Sequence, residues 1–127
     1  MKKHTFPKEE RLCSKRLIEN LFHDGSSFLI YPYRVTHLRI DALKPPVQVL
    51  LSVPKRRFRL AVQRNLLKRR MREAYRLQKG RWLGETMGSR PFGFVLAIQY
   101  VGKEVHDYAF LYKRMTDVLK RLEERVR

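Results

Sequence analysis

The stretch VQVLLSVPKRRFRLAVQRNLLKRRMREAYRLQK, residues 47–79, changes its period part-way along. From Val47 to Val53 the apolar residues alternate. Val47, Val49, Leu51 and Val53 share one face, the pattern of a strand with a buried side. Pro54 ends the strand because proline cannot donate to a ladder. Lys55 to Leu60 is a basic connection, and from Ala61 to Lys79 the repeat becomes helical. With Leu67 at zero and about 100° per residue, Leu67, Met71 and Ala74 fall together, flanked by Leu77 and Tyr75. A strand that feeds a long one-sided helix calls for a sheet under that helix. That makes the fold class α+β.

Working outward, Tyr33 to Ile40 alternates as a strand. Tyr33, Val35, His37 and Arg39 point one way; Arg34, Thr36, Leu38 and Ile40 point the other. The turn Asp41 to Pro46 is short, so an antiparallel hairpin with Val47–Val53 is expected. A short extra strand is placed near Phe28–Tyr31. Ser14 is positioned to cap a helix running to about His23, with Gly25 suited to the C′ position. Beyond the long helix, Gly80, Gly84 and Gly88 mark a loop that ends at Pro91. Phe92 to Val101 is apolar on both faces and reads as a central strand. Asp107 is placed to cap a last helix with the stripe Tyr108, Leu111, Met115, Val118, Leu119 and Leu122. The expectation is a single-domain α/β sandwich over residues 1–127, one mostly antiparallel sheet of about four strands with three helices. Residues 1–10 are expected to form a flexible basic arm.

The chain has 127 residues, 29 Lys plus Arg, 12 Asp plus Glu, and a net charge of +17. A hydrophobic fraction of 43% leaves enough material for a core, which argues against a chain that is a disordered basic tail throughout. A single cysteine, Cys13, excludes an internal disulfide framework and a cysteine-cluster zinc site. No apolar run reaches the roughly 18 residues of a spanning helix, and no apolar segment follows the basic N-terminus as in a signal peptide. A cytoplasmic protein is expected. From Lys55 to Arg81 there are twelve basic residues and one acid, Glu73. Charge concentrated in this way predicts a face for a polyanion, with nucleic acid the leading candidate.

That face lies on the long helix. Asn65, Lys68, Arg69, Arg72, Arg76 and Lys79 share one side, opposite Leu67, with Arg64 at its edge and Arg70 on the other flank. A solubilising face mixes signs so that i,i+4 pairs form; this one stacks like charges, which repel. Phosphates reward that arrangement because each one neutralised releases condensed counterions. Arginine outnumbers lysine here, and its planar fork suits phosphate.

Arg64-Asn65-Leu66-Leu67-Lys68-Arg69-Arg70-Met71-Arg72-Glu73, preceded by Ala61-Val62, resembles the fingerprint Arg-Asn-Arg-x-Lys-Arg-x-x-Arg of the bacterial ribonuclease P protein subunit. Leu51-Ser52-Val53-Pro54-Lys55 is similar to that family's strand end, and Leu21-Phe22-His23-Asp24-Gly25 to its first-helix ending. The resemblance runs from Leu12 to about Leu122. It departs at Leu66, where the motif carries an arginine, and at Ile18, where some members carry an aromatic.

The resemblance implies a noncatalytic subunit whose partner, the ribonuclease P RNA, holds the catalytic Mg2+ and removes the 5′ leader of precursor tRNA. It implies a left-handed β-α-β crossover, where the usual rule gives a right-handed one. It assigns catalytic-RNA contacts to Arg64, Asn65, Lys68, Arg69, Arg72 and Arg76, extended by Lys55 and Arg56. It assigns a leader cleft, between the first helix and the sheet, to Phe22 and Thr36, with Tyr33 and Val35 as neighbours. Neither membrane nor DNA is an expected partner.

No catalytic or metal site is expected on the chain itself. His4, His23, His37 and His106 lack metal-ligand spacing, and the glycines form no phosphate loop. A ribosomal or assembly protein is the main competing reading. A protein-only nuclease would need a carboxylate cluster that the basic window lacks.

Overall fold

The computed structural model describes residues 6–41, 43, 45–82, 87 and 90–126. Its elements are a 3-10 turn (Lys8–Glu10), α1 (Lys15–Asp24), β1 (Ser26–Ile30), β2 (Tyr33–Asp41), β3 (Val47–Ser52), α2 (Ala61–Arg81), β4 (Phe92–Tyr100) and α3 (Tyr108–Val126). One four-stranded sheet has the order β1-β2-β4-β3. β1 and β2 are antiparallel, as are β2 and β4, while β3 runs parallel to β4.

The expected hairpin between β2 and β3 does not form. β4 lies between them, with Val35 opposite Ile98 on one side and Leu51 opposite Ile98 on the other. The reason is the composition of β4. Phe94, Val95, Leu96, Ala97 and Ile98 are all buried, so this strand needs cover on both faces and a neighbour on both edges. The link from β2 to β3 passes over the end of β4, where Phe94 N donates to Pro46 O at 2.8 Å. Gly93 permits that approach, since a Cβ there would collide with the Pro46 carbonyl. The hairpin that does form joins β1 to β2 through Tyr31 and Pro32, whose peptide bond is cis.

Two cores lie on opposite faces of the sheet. The larger holds Val35, Val49, Leu96 and Ile98 against Leu67, Met71 and Ala74 of α2 and Leu111, Met115 and Val118 of α3. The smaller holds Val95 and Ala97 against Leu21, with Leu17 and Ile18 of α1 packed on it. Both expected caps are present. Ser14 Oγ accepts from Leu17 N, and Asp107 Oδ1 from Phe110 N at 2.9 Å. Gly25 is not a left-handed C′ residue; its φ is −74°, in extended backbone. It is needed for closeness, because a Cβ would meet the Leu21 carbonyl and lie 2.9 Å from that of His37. Gly80, expected to open a loop, lies inside α2. Much of the expected 80–91 loop is outside the described residues, though Trp82 and Met87 are buried in the larger core.

Residues 6–10 do not form a free arm. Phe6 is buried with its ring 5.5 Å from that of Tyr75. Glu10 pairs with Lys79, and Arg11 bridges to Val49 at the outer edge of β3. The rest of the expected arm, residues 1–5, is outside the described residues. Replacing Phe6→Ala should lower the stability to urea by about 3 kcal/mol through the cavity it leaves. An unchanged midpoint would show that this segment is not part of the folded core.

Candidate nucleic-acid interface

α2 enters the site with one face fixed. Leu67, Met71, Ala74 and Tyr75 are all fully buried, so the opposite arc is turned outward. Asn65, Arg69 and Arg72 are exposed on that arc, and Lys68 is partly exposed beside them. Among the described residues, Lys68, Arg69 and Arg72 form no ion pair within 4 Å. Asn65 to Arg72 spans about 10 Å of helix axis. Lys55, Arg56 and Arg57 are exposed on the turn after β3, and Arg59 follows them. Sequence reasoning did not name Arg57 as a contact, although its place between Arg56 and Arg59 in the basic connection was the available signal.

Arg64, Arg70, Arg76 and Lys79 of the same helix have acceptors within the protein. Arg64 donates to the carbonyls of Phe58 at 2.6 Å and Arg59 at 2.8 Å. It thereby holds the basic connection against the first turn of a helix that has no side-chain cap. Arg76 forms a two-pronged pair with Glu73, Nε to Oε1 at 3.0 Å and Nη2 to Oε2 at 2.7 Å. That hydrogen-bonded pair holds the Glu73 carboxyl below its usual range. Lys79 is the clear correction to the helical wheel. It is 4% exposed and bound to Glu10, because the N-terminal segment covers that part of the arc. Leu66, at the motif's arginine position, is partly buried and off the exposed stripe.

The residues expected in a leader cleft divide between the two faces of the sheet. Phe22 is 47% exposed on α1. Thr36 is 4% exposed, and its hydroxyl shares a 3.1 Å hydrogen bond with Ser27. Tyr33 and Val35 cannot join them. Both are fully buried in the larger core, and the Tyr33 hydroxyl donates to Leu111 O at 3.0 Å. The alternation of β2 already sets odd and even residues on opposite faces, so their removal from the cleft follows from strand geometry. Leu29, exposed on β1, and Arg34 share a shallow pocket with Ser27 and were not singled out from the sequence.

Among the described residues no group of three or more His, Cys, Asp or Glu is arranged to hold a metal ion, and no helix is long and apolar enough to cross a membrane.

A family model for ribonuclease P matches residues 6–123, nearly the whole chain. The chain belongs to the ribonuclease P protein family. A ribonuclease P protein component from Porphyromonas gingivalis is 36% identical over 116 residues, spanning 91% of this chain and 84% of its own. One from Chlorobaculum tepidum is 33% identical over 126 residues, spanning 94% and 75%. The fold is shared with the RNase P protein of Thermotoga maritima, at a TM-score of 0.67, 24% identity and coverage of 88% and 96%. It is also shared with that of Staphylococcus aureus, at 0.66, 18%, 89% and 94%.

Within this family member, the division of cations can be tested by stability alone. Arg69→Ala and Arg72→Ala should leave the urea midpoint nearly unchanged, within about 0.5 kcal/mol. Arg64→Ala should cost about 1–2 kcal/mol, because two carbonyls lose their donor. Equal costs for all three would erase the distinction. His37 supplies a pH test. It lies between the rings of Phe28 and Phe94, beside Asp24, Arg39 and Arg125. Burial first, and Arg125 second, lower its pKa from the usual 6.5. The unfolded chain then binds the proton more tightly, so stability should fall as pH drops from about 6.5 toward the lowered value. His37→Asn should flatten that part of the profile, and an unchanged slope would assign it to other groups.

Proposed function

We propose that this chain is the noncatalytic protein subunit of ribonuclease P. It binds the ribonuclease P RNA through the exposed stripe of α2 and assists removal of the 5′ leader from precursor tRNA. The observation that carries this reading is the set Asn65, Lys68, Arg69 and Arg72 on one outward arc of α2, its three cations without ion pairs among the described residues. Lys55 and Arg56 extend the same positive surface, while Arg64 sets the geometry of the connection and Arg76 contributes beside Glu73. The stripe positions RNA through phosphates, and Asn65 adds a neutral donor and acceptor for sugars or base edges. Phe22 offers a face for a leader base on the α1 side, with Thr36 beneath that layer.

Magnesium ions held by the RNA would supply the hydrolytic chemistry. The protein's part is electrostatic: it offsets repulsion between two RNAs and fixes the register of the substrate. No cofactor of the protein alone is required, and the expected place of action is the cytoplasm. Mixed with a bacterial ribonuclease P RNA and a leader-bearing tRNA precursor, the protein should restore cleavage at the mature 5′ end at low magnesium. No stimulation of an RNA that is active at high magnesium would overturn the reading in favour of ribosome assembly. Arg69→Ala or Arg72→Ala should each weaken RNA binding and reduce its salt slope by about one. An unaltered slope would move the docking face elsewhere.

A further inference from the structure

Beside the stripe is a cavity of about 230 Å3 where the N-terminal segment, β3 and α2 meet. Leu12, Val49, Leu50 and Leu51 give it an apolar wall, and Arg11 and Arg72 line it from opposite elements. Neither arginine has a carboxylate partner within 4 Å among the described residues; Arg11 lies over the ring of Phe6, which also lines the cavity, and donates from one Nη to Phe6 O at 3.3 Å. Cys13 is exposed at the same cavity.

The wall carries hydrogen-bonding groups as well. β3 is an edge strand, and Leu12 N donates to Val49 O on its outer side. Backbone direction alternates along a strand, so Leu51 turns its amide and carbonyl to the same outer side. The bridge at Val49 is the one pairing on that edge among the described residues.

We infer that this cavity receives one unpaired base of the RNA docked on α2. The inference rests on the RNA-binding reading of the stripe and deepens it. A base is a flat apolar body with donors and acceptors on its rim and a phosphate on either side. The apolar wall takes the body, the Leu51 edge takes the rim, and Arg72 and Arg11 take the phosphates. A base pair is too large for the space, which selects an unpaired base. Arg72 belongs to the stripe assigned to the catalytic RNA and also lines the cavity, so the occupant is that RNA rather than the leader.

The test is dimethyl sulfate and hydroxyl-radical footprinting of a bacterial ribonuclease P RNA with the intact protein, Cys13→Trp and Cys13→Ser. Tryptophan at an exposed position fills the cavity mouth without entering the core, and serine leaves it open. The intact protein and Cys13→Ser should shield one unpaired base. Cys13→Trp should expose that base, keep the backbone protections on both sides, and bind about tenfold more weakly with an unchanged salt slope. The same base protections with all three proteins would overturn the cavity assignment while leaving α2 docking intact. Base protection only when leader-bearing precursor is added would overturn the choice of occupant. Absence of any footprint would overturn the docking and the cavity together.

Discussion

Phe92 to Tyr100 is a strand buried on both faces, and such a strand has to be covered twice and flanked twice. Most of the architecture follows from that requirement. α1 covers one face through Leu21, and α2 and α3 cover the other. β2 takes one edge and β3 the opposite edge. Because β3 and β4 are parallel, the chain needs a crossover between them, and α2 is that crossover. A helix in this position is fixed in rotation by its buried stripe. Its outward arc therefore becomes a rigid feature of the surface beside β3.

The energetics of α2 separate two demands on one sequence. Each fully buried apolar side chain such as Leu67 or Met71 gives about 1.5–3 kcal/mol, whereas each like-charge neighbour pair on the outer arc costs only a few tenths. The core therefore tolerates the stacked cations, and their spacing is free to answer to a partner. The structure also shows that the cations are not equivalent. Arg64, Arg76 and Lys79 have acceptors within the protein, while Lys68, Arg69 and Arg72 form no ion pairs among the described residues.

What was legible in the sequence was what depends on local periodicity. The buried stripes of α2 and α3, both caps and the two-sided burial of β4 all follow from spacing within a single element. Strand order did not. A six-residue link between two alternating segments reads as a hairpin, and nothing local reveals that β4, about fifty residues later, inserts between them. Lys79 was misplaced for the same reason: a helical wheel cannot show that Glu10, far away in sequence, lies over its last turns. Tyr33 and Val35 differ, because alternation already opposed them to Thr36, and only the expectation of a shared cleft drew them together.

The N-terminal segment links these observations. An edge strand with open amides invites unwanted pairing, and β3 is closed at Val49 by the bridge from Arg11. The same segment brings Glu10 to Lys79, while Glu73 engages Arg76 one turn earlier. Two carboxylates thus pair with cations on the fourth to sixth turns of α2. The closure of β3 also stops short of Leu51, which lines the same cavity as Arg72. The segment that completes the fold therefore also lies against the exposed cations of α2.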